Sequence, residues 1–212
     1  MNYIIIPVKN LNKSKLRLVS ILNDEERCSL CLAMLNDILG TVLNSKIFEK
    51  TVIVSSDKLI LDFSKKKGAL TFYDGNKSLN SALEFAMQKT VDAKSILILP
   101  LDVPLIKLKD LEIIIEQGGN SKAVIIVPSL DGKGTNALFM RPPNIISSKF
   151  GLNSFEMHFQ EAKNSNIFVK VLKLPTIALD IDTVKDLELF MKFGNGYETK
   201  KFLNRIKIFT RF

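Results

Sequence analysis

The chain has no tryptophan, a single histidine and only two cysteines in 212 residues. One histidine, His158, excludes a His-rich metal centre and gives no firm basis for a serine or cysteine triad. Cys28 and Cys31 have the C-x-x-C spacing of a redox pair or half a zinc site. No second ligand pair accompanies them, and both fall in an amphipathic helical pattern, so core packing is the favoured reading. No apolar run approaches the roughly 20 residues that span a bilayer. Met1 to Pro7 lacks the basic stretch and cleavage site of a secretory leader; it reads as a first strand, and the expected location is cytoplasmic. Internal repeats, low-complexity tracts and linkers are also lacking.

What is present is an ordinary globular composition, 46% hydrophobic and 25% charged, enough for one domain with a substantial core. The net charge is +8 and the pI about 9.4, which suggests a nucleic-acid or small anionic partner. Its distribution is uneven. Residues 1–23 hold Lys9, Lys13, Lys15 and Arg17 without one carboxylate, and Lys200, Lys201, Arg205, Lys207 and Arg211 follow Gly196. A nucleic-acid module would bind oligonucleotides with strong salt dependence. With three tyrosines and no tryptophan its aromatic interleaving would be poor, and it would leave the chain's aspartate motifs unexplained. A small anionic substrate, with no nucleic acid and no membrane, is therefore expected.

Apolar runs predict strands at 3–8, 51–55, 70–73, 95–100, 123–127, 137–140, 168–173 and 177–181. Helical patterns occupy 24–43, 58–67, 78–91, 107–117, 154–165 and 183–193, the first of them with Asp24 as its expected cap. Alternation of the two predicts an α/β fold of three layers with a mostly parallel sheet. The close spacing of strands between 123 and 140 adds an antiparallel excursion. One domain over 1–193 is expected, followed by a basic tail, 194–212, which could lie on the core, pair with another subunit in a homodimer, or stay mobile.

In such sheets ligands bind beyond the carboxyl ends of the strands. The loop Pro7-Val8-Lys9-Asn-Leu-Asn-Lys13-Ser-Lys15-Leu-Arg17 has no glycine, so it is no Walker loop; phosphate binding would rest on its cations, and a plain solvated loop is equally open. Asp102 follows the run Ile96 to Leu99 between Pro100 and Pro104, as a metal ligand or a helix cap. Asp180 and Asp182 stand two apart in an extended stretch, on one face, where they repel unless a cation lies between them. Asp182 is also placed to cap the helix that follows. A glycine-bearing loop, Asp131-Gly-Lys-Gly-Thr135-Asn136, offers anion donors or a simple turn. His158 reads as a polar helix residue.

The order of these segments resembles the 2-phospho-L-lactate guanylyltransferase family of coenzyme F-420 biosynthesis. Carrying the likeness are Ile6-Pro-Val-Lys9, Ser14-Lys15-Leu-Arg17, Asp24-Glu-Glu-Arg27, Leu79-Asn80-Ser-Ala82 and Asp102-Val-Pro104. Asp131 to Asn136, Phe150-Gly151 with Ser154 and His158, and Leu179-Asp-Ile-Asp182-Thr183 complete it. The resemblance implies a nucleotidyltransferase fold of the glycosyltransferase-A-like kind, acting on GTP and a small phosphorylated three-carbon acid. It implies that Pro7, Val8, Lys9, Lys15, Leu79 and Asn80 bind the nucleotide, with Lys15, Arg17 and Asp102 catalytic. Asp102, Asp180 and Asp182 would hold Mg2+, and Thr135, Gly151 and Ser154 would receive the acid. Ser78 stands where that family tends to have glycine, and Val184 where it often has proline. Another nucleotidyltransferase or glycosyltransferase of the same fold is the alternative.

Overall fold

The computed structural model describes residues 1–211. Seven strands form one sheet: β1 (Asn2–Val8), β2 (Lys50–Ser55), β3 (Leu70–Tyr73), β4 (Ser95–Ile98), β5 (Ala123–Pro128), β6 (Thr135–Arg141) and β7 (Phe168–Val171). Their order is β3-β2-β1-β4-β6-β5-β7. Every neighbouring pair is parallel except those of β6, which runs antiparallel to both β4 and β5. The expected mixed, mostly parallel sheet is therefore present, with β6 as its antiparallel excursion.

Helices cover both faces. Successive residues of β1 point to opposite sides: Ile4, Ile6 and Val8 join one core with α1 (Asp24–Asn44), α2 (Lys58–Lys66) and α4 (Leu108–Gly118). The short α6 (Pro175–Ala178), α7 (Val184–Phe193) and α8 (Glu198–Arg205) also lie on that side. Tyr3 and Ile5 join the other core with α3 (Leu79–Gln88) and α5 (Ser154–Asn164). Strands buried on both faces explain the unbroken apolar runs in the sequence.

Helix starts are set by short polar side chains, not always the expected ones. Asn23, not Asp24, caps α1: its side chain accepts from Glu26 N, and the Glu26 carboxylate accepts from Asn23 N. Asp24 sits one residue inside, where its charge still suits the helix N-terminus and pairs with Arg27 at 3.0 Å.

The strand expected at 177–181 is absent. Pro175 starts the α6 turn, and Leu179 to Asp182 run extended without a ladder. Its backbone is instead taken up by neighbouring loops: the Ala178 carbonyl accepts from Leu130 N–H at 2.8 Å, and Ile181 N–H donates to the Asp102 carbonyl at 2.9 Å.

The place left open for residues after Gly194 is resolved in part by α8, which folds onto α1. Asp37 of α1 accepts from the backbone N–H groups of Glu198 and Thr199 at 2.7 and 2.9 Å, acting as a cap from a neighbouring helix. Phe202 and Leu203 enter the main core, each contributing about 2 kcal/mol of apolar burial. No helix among the described residues is long and apolar enough to cross a membrane.

Candidate active site

The chain runs from β1 outwards through β2 to β3, then returns to β4 on the other side of β1. Such a reversal opens a crevice at the carboxyl ends of the two central strands. The basic loop leaves β1 there and the Asp102 loop leaves β4. Because β6 is antiparallel, its first residues, Thr135 and Asn136, arrive at the same edge.

Two aspartate segments distant in the chain are joined by backbone. Ile181 N–H donates to the Asp102 carbonyl at 2.9 Å. Ile181 is fully buried, and the extended backbone turns Asp180 and Asp182 the opposite way. Asn136 steadies this arrangement: its side-chain amide donates to Asp180 Oδ1 and to the carbonyls of Ile177 and Ala178, each at 3.0 Å. The expected capping role of Asp182 is not realised. Thr183 caps α7 in a reciprocal pair with Asp186, which leaves the Asp182 carboxylate free to face the crevice.

Lys15 lies between the two segments. Its Nζ donates to Asp102 Oδ2 at 2.9 Å and to Asp182 Oδ1 at 2.8 Å, and its side chain is 5% exposed. Two of its three donors are thus used within the protein. Lys15 has a left-handed backbone, φ 54°, which costs about 1 kcal/mol for a residue with a Cβ. Arg27 holds the loop in that shape from beneath. Its buried guanidinium donates to the carbonyls of Ser14 and Leu22 at 3.3 and 3.2 Å.

Charge coupling follows from this geometry. Burial opposes the Lys15 charge, but Asp102 and Asp182 outweigh it and hold the ammonium above the ordinary lysine range. Burial pushes Asp180 up to about 6, opposed by the Asn136 hydrogen bond and reinforced by the charges of Asp102 and Asp182. Burial acts the same way on Asp182, but Lys15, Arg17 and Lys9 bring it below the usual carboxylate range. Three carboxylates against one buried ammonium leave excess negative charge at the crevice floor.

Among the described residues, no group of three His, Cys, Asp or Glu side chains makes a ready metal cage. The donors are nevertheless all hard oxygens and feel one another's charge, and Asp102 and Asp182 border an open cleft with Asp180 beside them. That chemistry fits a small divalent cation that keeps water and takes further ligands from a phosphate, as Mg2+ does, more than an enclosed structural site.

Two adjoining cavities, about 220 and 200 Å3, share Pro7, Lys9, Lys13 and Leu79. The first also reaches Val8, Asp74, Lys77 and Ser78; the second holds Lys15, Asp102, Asp182, Cys31 and Phe150. Most of the expected nucleotide residues are therefore gathered along one cleft. Asn80 stands elsewhere: its amide pairs both ways with the backbone of Phe150, at 2.8 and 3.0 Å. Arg17 is exposed and reaches the site through its charge on Asp182. Ser78, in the place of a glycine, caps α3 by accepting from Ser81 N. Cys31 is buried, as the packing reading expects, and burial pushes its thiol up to about 11. Asp74 and Lys77 escaped the sequence reading, although the turn cluster Asp74-Gly-Asn-Lys-Ser directly after a strand was the available signal.

On the far side, Thr135 and Ser154 are buried and Gly151 is exposed with φ +136°. Gly151 and Ser154 meet at the start of α5, where Ser154 N–H donates to the Gly151 carbonyl at 3.2 Å, and Thr135 reaches the same helix through His158. His158 is not a polar surface residue of that helix but is fully buried behind Thr135. One ring nitrogen, Nδ1, lies 3.0 Å from Thr135 Oγ1, and the other, Nε2, accepts from Lys149 N–H at 2.9 Å. Burial, opposed by Glu161 and aided by Lys149, brings His158 down to about 4. The unfolded chain then binds a proton near pH 6.5 that the native protein refuses, so stability is full above pH 6.5 and falls towards pH 4. The shift corresponds to about 3 kcal/mol. Denaturant unfolding at pH 7 and 4.5 should show a steeper loss for the native sequence than for His158→Gln.

The family profile described as "Guanylyl transferase CofC like" matches residues 2–212. The chain belongs to this guanylyltransferase family. A 2-phospho-L-lactate guanylyltransferase of Methanocaldococcus vulcanius is 38% identical over 207 residues, covering 97% of this chain and 91% of that protein. A phosphoenolpyruvate guanylyltransferase of Rubrobacter xylanophilus is 32% identical over 187 residues, covering 87% of this chain and 91% of that protein. Among solved structures, a putative nucleotide-diphospho-sugar transferase from Desulfovibrio desulfuricans aligns with TM-score 0.78 and 16% identity, covering 99% of this chain and 97% of that one. A nucleotidyl transferase from Methanothermobacter aligns with TM-score 0.66 and 12% identity, over 97% and 99% of the two chains. These structural likenesses speak to the fold, which is that of nucleotidyltransferases.

Proposed function

We propose that this guanylyltransferase joins GTP to 2-phospho-L-lactate or phosphoenolpyruvate with release of pyrophosphate. The observation that carries the reading is the Lys15–Asp102–Asp182 centre, set where a basic, glycine-free loop meets three carboxylates. A phosphate oxygen of the acid attacks the α-phosphorus of GTP; the new O–P bond forms as the bond to the β-phosphate breaks, and pyrophosphate departs. The attacking phosphate is already ionised near neutral pH. No general base is needed, and a buried, neutral His158 behind the acceptor side is compatible with that. The rate must come from alignment and charge neutralisation.

Lys9, Lys13 and Lys15 line the cleft and supply cations to the phosphates. Asp102, Asp180 and Asp182 would hold Mg2+, which when bound neutralises phosphate charge and fixes the α-phosphoryl group's orientation. Thr135, Gly151 and Ser154 would receive the acid. Asn136 supports this division, because it bonds Asp180 while adjoining Thr135 in the chain. Pyrophosphate release with GTP, Mg2+ and each acid in turn tests the reading. Release that depends on one of the acids supports it; no release with any acid would count against it.

Guanine preference has a candidate in Asp74, whose carboxylate borders the first cavity and accepts from Asn76 N–H at 2.9 Å through one oxygen. A carboxylate suits the adjacent ring N–H and amino donors of guanine and repels the ring acceptor of adenine. Asp74→Asn should lower kcat/KM for GTP by about 10- to 100-fold, the worth of a charged hydrogen bond. It should also abolish discrimination between GTP and ITP, which lacks the amino group. Unchanged GTP kinetics would remove Asp74 from base recognition.

A further inference from the structure

We propose that His158 is a positioning residue for the acceptor, fixing the direction in which the Thr135 hydroxyl donates. The inference rests on the acceptor reading of Thr135, Gly151 and Ser154 above. Its basis is the order of donors and acceptors around one ring. A backbone N–H can only donate, so the bond from Lys149 N–H makes Nε2 an acceptor. The neutral imidazole then carries its proton on Nδ1 and donates it to Thr135 Oγ1 at 3.0 Å. With a lone pair of the hydroxyl oxygen taken by the ring, the Thr135 proton is turned away from it. Thr135 Oγ1 is buried and has no other hydrogen-bond partner among the described residues, so on the acceptor reading that proton is the one offered to an anionic oxygen of the acid. The opposite tautomer would take the hydroxyl proton itself and present a lone pair to the anion.

The same ring fixes the neighbouring loop. Phe150 packs edge-on against His158, with centroids 5.0 Å apart, and its backbone is paired with Asn80 of α3. Phe150 also lines the cavity that holds Lys15 and Asp102. His158 and Asn80 therefore grip one loop from two sides, and on the proposed reading Phe150 would stand between the two substrates. This gives Asn80 a positioning role as well, through the Phe150 backbone.

Steady-state kinetics of His158→Gln, His158→Asn and Thr135→Val separate the possibilities. Glutamine places its amide near the Nε2 position and keeps the loop contact; asparagine places its amide near Nδ1 and keeps a donor to Thr135. His158→Gln should raise KM for the phospho-acid about tenfold or more, the worth of a hydrogen bond to a charged group, with KM for GTP unchanged. His158→Asn should restore most of the loss. An unchanged acid KM in His158→Gln, beside a raised one in Thr135→Val, would overturn the positioning role and leave the acceptor site standing. An unchanged acid KM in Thr135→Val would instead overturn the acceptor site itself. Equal rises for both substrates in His158→Gln would mark a general loosening and also overturn the role. Because the chain has one histidine, nitrogen NMR of the unmodified protein at pH 7 reads the tautomer without any variant. A proton on Nδ1 is expected; a proton on Nε2 would contradict the inference.

Discussion

Lys15→Ala is expected to lower kcat about a thousandfold, the upper part of the range for losing a preorganised charge-stabilising donor. The fold should survive, because Arg27, not Lys15, holds the loop backbone through Ser14 and Leu22. The variant should also change how the protein responds to metal. In the native sequence the ammonium keeps Asp102 and Asp182 together; without it the carboxylates face each other unpaired. Their side chains are 27% and 40% exposed, so water screens part of this cost, and about 1–2 kcal/mol is expected in chelator. Mg2+ should then raise the melting temperature of Lys15→Ala by more than it raises that of the native protein. Turnover within a few-fold of normal would remove Lys15 from the chemistry. A melting temperature indifferent to Mg2+ would argue against a metal at these carboxylates.

The second large effect is expected from Asp102→Asn, with at least a thousandfold loss of kcat/KM. The change is nearly isosteric, and the bond that joins the two acidic segments uses the Asp102 backbone carbonyl, so the architecture should remain. What is lost is a charge that holds Lys15 and, in the proposed reading, a ligand to Mg2+. Raising Mg2+ should recover part of the activity. The measurement is kcat/KM across a Mg2+ titration, with circular dichroism as the fold control. Near-normal activity at ordinary Mg2+ would show that Asp102 is not part of the centre.

Much of this arrangement was legible in the residues. The apolar runs at 3–8, 51–55 and 123–127 became strands because burial on both faces demands such runs. Asp102 could be placed at a strand end by the prolines around it. Asp180 and Asp182 share a face as their spacing requires, although in an extended segment and not a strand; a single sequence does not reveal that its backbone bonds to the distant loops at Asp102 and Leu130. Cap choice was ambiguous wherever two good capping residues adjoin, as at Asn23 and Asp24 or Asp182 and Thr183, and backbone angles decided both. Helix α8 was missed because its apolar face is short, and its cap, Asp37, lies far away in sequence. The pairing of Lys15 with two aspartates, and of His158 with Thr135, depends on contacts between distant segments, for which local periodicity carries no signal.

Isotope transfer tests the central claim most directly. With GTP labelled at the α-phosphorus, Mg2+ and 2-phospho-L-lactate or phosphoenolpyruvate, the label should appear in a guanylylated acid, while label at the γ-phosphorus should leave in pyrophosphate. Asp102→Asn and Lys15→Ala should both lose this transfer. Transfer of the γ-phosphoryl group to the acid, or α-label appearing only in free GMP regardless of acid, would contradict guanylyl transfer at this site.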